Sequence, residues 1–227
     1  MKLSVIIPIY NEEQTLRQLI EKVLSVNIDK ELILVDDHST DNSTKIVAEY
    51  AKLPNVKAVY HTKNYGKGMA IRSGIKEASG DIVIIQDADL EYEPEDFHEL
   101  VKPIIEGRAN VVYGSRELGK SNKHSYFSFY IGGKLLSWLA NLLYGSNITD
   151  EPTCYKVFRA NILKSIPLKC IRFEFCPEVT AKVLKRGEKI IEVPIRYYPR
   201  TKGEGKKIKW RDGIEAIWTL IKYRFID

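Results

Sequence analysis

At 227 residues, 44% of them apolar and 10% aromatic, the chain is long enough to close a sizeable α/β core, which excludes a disordered or fibrous protein. Its 35 basic and 30 acidic residues leave a net charge of only +5, too little for a general nucleic-acid coat. The three cysteines, Cys154, Cys170 and Cys176, lack CxxC or Cys/His ligand spacing, which excludes a disulfide framework or structural zinc and points to a reducing cytoplasm.

Residues 3–9 form a short apolar run without the charged and cleavage regions of an export signal. Residues 12–26 then place Leu16, Leu19, Ile20, Val23 and Leu24 at helical spacing. The unit repeats: 31–35 is a second strand, 41–51 a second helix with Asp41 as a plausible cap, and 56–60 a third strand. An amphipathic helix at 67–78 ends at Ser79-Gly80, ahead of the apolar strand 82–85. Pro94 opens another helix that Gly107 closes, and 109–113 is the next strand. This alternation predicts an α/β fold with a mostly parallel sheet covered on both faces and ligands at the carboxyl ends of its strands.

Beyond Gly114 the rhythm changes to a polar loop reaching His124 and an apolar helix over 126–144. Gly132, Gly133, Lys134 and Asn141 break that helix, so it reads as interfacial or buried rather than transmembrane. A strand at 155–158, a helix at 177–185, a strand at 190–195, a basic loop at 199–209 and an amphipathic helix at 210–225 follow. Residues 1–116 therefore read as one half and 117–227 as the other half of a single domain. Aromatic residues in the first long helix and the apolar face Trp210, Ile214, Ile217, Trp218, Ile221 and Phe225 in the last suit a membrane surface, and equally suit packing on the domain or on another subunit.

The sharpest chemical signal is Asp87-Ala88-Asp89, directly after the buried strand at 82–85. Two carboxylates at a strand mouth repel each other and lose hydration, a cost that Mg²⁺ or Mn²⁺ offsets while keeping positions open for phosphate. A bare pair of this kind also caps helices; the neighbouring Asp36, Asp37 and Asp41 at the same sheet edge favour the metal reading. Asp36 and Asp37 can accept hydrogen bonds from a base and ribose, although an Asp/Ser-rich turn is the plainer account of Ser39 and Asp41. Pro8-Ile9-Tyr10-Asn11-Glu12 ends the first strand at this edge, where Tyr10 can face a base and Glu12 a ribose. In Asn64-Tyr65-Gly66-Lys67-Gly68, helix N-terminal N–H groups and Lys67 can converge on phosphate; neither a P-loop nor GxGxxG is matched. The four histidines form no metal or triad pattern in the sequence.

Together with Gly114-Ser115-Arg116, these segments resemble, in order and spacing, the family 2 inverting glycosyltransferases of GT-A fold, and within them the dolichol-phosphate mannose synthase branch of polyprenyl-phosphate hexosyltransferases. The resemblance continues through residues 150–159 and 192–200. It implies that Pro8, Tyr10, Asn11, Glu12, Asp36, Asp37, Gly66, Lys67, Asp87, Ala88 and Asp89 bind the nucleotide sugar. Asp87, Asp89 and Glu91 would surround Mg²⁺ or Mn²⁺, and Arg116 and Arg200 would face an acceptor phosphate, so that 1–116 is the nucleotide-sugar-binding half and 117–227 the acceptor half. Lys134, which belongs to no motif, is a further candidate for the acceptor phosphate. Glu91 stands where that branch often has Gln, and Thr153-Cys154-Tyr155-Lys156 replaces a Ser-Gly-Phe-Arg type segment.

The function expected is metal-dependent inverting transfer of a hexose from a GDP- or UDP-sugar to dolichyl or undecaprenyl phosphate. A lipid phosphate is already anionic, so positioning arginines suffice; catalysis is assigned to Asp89 and Arg116, with Asp150 as first candidate base if the acceptor is a hydroxyl. Capping a turn is an equal reading of Asp150. Hydroxyl-directed glycolipid or polysaccharide synthesis is the alternative, and a non-catalytic nucleotide-sugar-binding subunit a third reading. The expected location is the cytoplasmic face of a membrane, with peripheral contact to lipid and with a second copy or a membrane protein as further partner.

Overall fold

The computed structural model describes residues 1–119, 122, 127–200 and 210–226. The first half builds β1 (Leu3–Ile9), α1 (Leu16–Ser25), β2 (Lys30–Asp36), α2 (Ser43–Tyr50), β3 (Val56–Tyr60), α3 (Lys67–Glu77), β4 (Ile82–Ile85), a 3₁₀ turn (Pro94–Asp96) running into α4 (Phe97–Ile105), and β5 (Val111–Ser115). The second half builds α5 (Phe127–Tyr144), β6 (Lys156–Arg159), α6 (Ala160–Ser165), α7 (Phe175–Lys185), β7 (Ile190–Pro194) and α8 (Trp210–Phe225).

One seven-stranded sheet runs β3-β2-β1-β4-β6-β5-β7. β1 pairs in parallel with both β2 and β4, and β5 with β7; β6 alone runs antiparallel to its neighbours β4 and β5. The unbroken apolar runs of β1, β2 and β4 are buried on both faces, as helix-covered parallel strands require. Close packing of α3 on this sheet depends on Gly74, where any Cβ would collide with the Ile6 side chain. The strands β1, β2 and β4 thus end side by side, and their carboxyl edge carries the site.

A second apolar cluster, Leu136, Ala140, Ile148, Ala181, Ala216, Leu220 and Tyr223, joins α5, α7 and α8, and Tyr144 Oη donates to the Leu220 carbonyl at 2.6 Å. The outward faces of α5 and α8 stay apolar: Trp138 is 58% and Leu142 64% exposed, Trp218 62% and Phe225 80%. Among the described residues no helix is long and apolar enough to cross a membrane.

Several expected boundaries move. The first helix starts at Leu16 rather than residue 12, because Asn11 turns through φ 52°. The second starts at Ser43: Asp41 accepts the Ser43 N–H at 2.9 Å and the Glu13 N–H at 3.0 Å, tying two loops together. The fifth strand lies two residues later than expected, and α6 was not expected. Most of the expected polar loop from residue 120 to His124, Tyr126 and the basic loop at 201–209 lie outside the described residues.

Candidate active site

A cavity of about 1400 Å³ opens along the carboxyl edge of β1, β2 and β4 and extends to α5 and α8. Pro8, Tyr10, Glu12, Asp37, Gly66, Lys67, Asp87, Ala88, Asp89, Glu91, Arg116, Asp150 and Arg200 all line it, so residues spread over nearly the whole sequence converge on one space.

Asp37 is the junction at the nucleoside end. Its N–H donates to the Ile9 carbonyl at 2.8 Å; its Oδ1 accepts from Tyr65 N at 2.9 Å and faces His61 Nδ1 at 2.6 Å; its Oδ2 accepts from Gly66 N at 2.7 Å. His61 Nε2 in turn meets Ser73 Oγ at 2.9 Å. His61 carries no motif in the sequence, yet the parallel register that sets Asp36 opposite Tyr60 brings the next residues, Asp37 and His61, together. Asp36 differs from expectation. Its two oxygens are taken by Ser39 N at 3.0 Å and Thr44 Oγ1 at 2.6 Å, so it shapes its own loop and does not line the cavity. Asn11 also works within the loops, its Oδ1 accepting from Thr40 N at 2.7 Å.

Most of the phosphate cradle expected from backbone N–H groups at the start of α3 is taken up within the protein, Gly66 N by Asp37 and two more as follows. Gly68 N and Met69 N donate to the carbonyls of Arg172 and Ile171 at 2.8 and 3.0 Å. Those carbonyls come so close that a Cβ on Gly66, at φ +99°, would lie 2.6 Å from Ile171 O, and one on Gly68 2.8 Å from Arg172 O. The covering segment is itself held by Glu178, buried and paired to Lys182, which accepts from Lys169 N and Cys170 N, and by Glu174, which accepts from Ile171 N and Arg172 N. Of this segment, the Lys67 side chain reaches the site, 2.5 Å from Asp87 Oδ1. Burial works against its charge, but Asp87 outweighs it and holds the ammonium well above its ordinary pKa.

Asp89 pairs with Arg200 at 3.1 Å, and the same guanidinium reaches Glu12 at 3.2 Å. Arg200 therefore spans the donor edge in this structure instead of standing on the acceptor side as expected. Glu91 is turned toward that segment too: it accepts from Arg200 N at 2.7 Å and from Tyr197 Oη at 3.2 Å. Burial, reinforced by the charges of Asp87 and Glu91, pushes the Asp89 carboxyl up to about 7, despite Arg200 and Lys67. The centre is short of positive charge. Two hard carboxylates at one strand tip, with that deficit, fit a hard dication; among the described residues no three acidic, His or Cys side chains form a complete ligand set. A cation here would rely on oxygens brought by a substrate, the usual arrangement for Mg²⁺ with phosphates.

Two strands along the same edge, Arg116 and Asp150 form a fork: Arg116 N, Nε and Nη2 all donate to the Asp150 carboxylate, at 2.9, 2.7 and 2.6 Å. Asp150 is 3% exposed; burial raises its pKa, but Arg116 overrides that and holds it below the usual range. It is thus the partner of Arg116 and poorly suited to take a proton as the candidate base. Glu192, unassigned in the sequence, accepts from Thr149 N and Asp150 N at 2.7 and 3.0 Å and so seats Asp150. Tyr197 stacks under the Arg116 guanidinium at 5.1 Å. Lys134 pairs with Glu117 at 2.7 Å and lies over the Tyr130 ring.

Residues 4–166 match the family described as Glycosyl transferase family 2. The chain is 32% identical over 215 residues to a dolichol-phosphate mannosyltransferase of Pyrococcus furiosus, covering 91% of this chain and 59% of that protein. It is 33% identical over 210 residues to a UDP-N-acetylglucosamine–dolichyl-phosphate N-acetylglucosaminyltransferase of Methanococcus voltae, covering 84% and 83%. Among solved structures, glucosyl-3-phosphoglycerate synthase from Mycobacterium tuberculosis, in complex with uridine diphosphate, superposes with a TM-score of 0.77 over 100% of this chain and 81% of its own, at 20% identity, a likeness of fold. The chain spans about three fifths, 59%, of the length of the mannosyltransferase.

Proposed function

The chain belongs to glycosyl transferase family 2, and from that premise we propose that it transfers a hexose from a GDP- or UDP-sugar to a polyprenyl phosphate, inverting the anomeric centre. The observation that carries this reading is the gathering, along one cavity, of the Asp87/Asp89 pair with Lys67 and of the Arg116–Asp150 fork. The first group suits a cation-bound diphosphate, the second an incoming anion. The two relatives described above, one named for dolichol phosphate and one for dolichyl phosphate, support the acceptor class.

In the reaction an acceptor phosphate oxygen forms a bond to the anomeric carbon while the bond from that carbon to the diphosphate oxygen breaks, its electron pair leaving with the nucleoside diphosphate. Pro8, Tyr10, Glu12 and Asp37 bind the nucleoside and ribose. Asp87 and Asp89 would hold Mg²⁺ or Mn²⁺, which would supply positive charge against the negative charge developing on the diphosphate. Lys67 adds charge from the protein side. Arg116, held in a fixed orientation by Asp150 and Tyr197, positions the anionic acceptor, with Lys134 further out. No base is needed for a nucleophile that is already ionised, in keeping with an Asp150 committed to Arg116.

The exposed apolar faces of α5 and α8 border the same cavity and rest peripherally on the cytoplasmic face of a membrane, from which the lipid acceptor enters. Incubation with labelled GDP-mannose or UDP-hexose, Mn²⁺ and undecaprenyl or dolichyl phosphate tests the proposal. Label extracted with the lipid is the expected result; label found only on hydroxyl acceptors would overturn it.

A further inference from the structure

We infer that the donor carries uracil rather than guanine, and that His61 sets this choice by using up one acceptor position of Asp37. This rests on the donor reading above, in which Asp37 meets the base.

A carboxylate offers about four lone-pair positions. In Asp37, Oδ1 is occupied twice, by Tyr65 N–H and by His61 Nδ1, and Oδ2 once, by Gly66 N–H. The Asp–His contact of 2.6 Å has the carboxylate accepting, so Nδ1 bears a proton, while Nε2 lies 2.9 Å from Ser73 Oγ. A single position, on Oδ2, remains for a ligand.

Guanine presents N1–H and an N2 amino group side by side, two donors that match a carboxylate only when both oxygens can accept. With Oδ1 full, one guanine donor would be buried without a partner. Uracil presents one donor, N3–H, between two carbonyls, and a single acceptor satisfies it. Cytosine and adenine turn a ring-nitrogen lone pair toward the same carboxylate and are repelled. An unpaired buried donor of this kind corresponds to roughly a tenfold loss of affinity or more.

Calorimetric titration of the full chain with UDP, GDP, CDP and ADP, each with Mn²⁺, tests the inference. UDP is expected to bind at least about tenfold more tightly than GDP, with CDP and ADP weaker than UDP. GDP binding as tightly as UDP would overturn the base assignment while leaving the donor reading intact. Absence of binding by every nucleoside diphosphate would overturn both. A second arm uses His61→Ala, which returns an acceptor position to Oδ1. The UDP-to-GDP affinity ratio, read within that one variant and so insensitive to its stability, is expected to narrow several-fold. An unchanged ratio would overturn the role of His61.

Discussion

Replacing Asp150 with Asn tests the Arg116 fork. The wild-type carboxylate accepts three bonds from Arg116 at 2.6 to 2.9 Å, and Asn removes the charge while turning an amino group toward a guanidinium that only donates. Removing one partner of a buried ion pair costs about 3–5 kcal/mol, because the other charge stays buried without compensation. Arg116 retains 20% exposure against 3% for Asp150, so part of its charge is rehydrated and the lower end, about 3 kcal/mol, applies. For a domain of this size that corresponds to a fall in Tm of roughly 6–12 °C. Urea denaturation monitored by circular dichroism measures the loss, and the Arg116→Met, Asp150→Asn double variant gives the coupling. The acceptor KM should rise with it, because Arg116 loses its fixed orientation. A loss below about 1 kcal/mol would refute the view that this pair is a buried, interdependent unit.

Gly68→Ala should destabilise the fold by about 1–3 kcal/mol, since the new Cβ lies 2.8 Å from backbone Arg172 O; a wild-type urea midpoint would contradict the tight seat of residues 170–172 on α3. Burial works against the Glu178 charge, but Lys182 and the N–H groups of Lys169 and Cys170 lower its folded pKa below the ordinary 4.5, so its stabilisation is present above that pH and is lost as pH falls through the folded value. Glu178→Gln should therefore lower Tm at pH 7 and flatten its decline below about pH 4.5, and an unchanged Tm–pH profile would count against this. Trp138→Ser combined with Trp218→Ser should strongly reduce co-sedimentation with anionic lipid vesicles while leaving Tm nearly unchanged, because both rings are more than half exposed; undiminished sedimentation would remove these faces from membrane contact.

The alternation of strands and helices was legible because β1, β2 and β4 are covered on both faces and read as unbroken apolar runs. Strand direction was not: the short apolar run of β6 carries nothing that distinguishes its antiparallel insertion between β4 and β5 from a parallel one. Asp87 and Asp89 were expected at the site from their place after a buried strand, and both line the cavity. Adjacent Asp36 and Asp37 could not be separated, because they point opposite ways from one strand end and only three-dimensional neighbours decide which faces the cavity. The covering of the α3 N-terminus comes from residues about a hundred positions away, and the reach of Arg200 to Asp89 spans a similar distance, so no local pattern announced either. Asp150 misled for the same reason, since its partner arrives on another strand end.

The proposed chemistry requires Asp87 and Asp89 to bind a dication jointly with the donor diphosphate. Titration of UDP in the presence and absence of Mn²⁺, for wild type and Asp89→Ala, measures this. Tighter UDP binding with Mn²⁺ in the wild type, and loss of that dependence in the variant, is the predicted result. The same Mn²⁺ dependence in both proteins would contradict it.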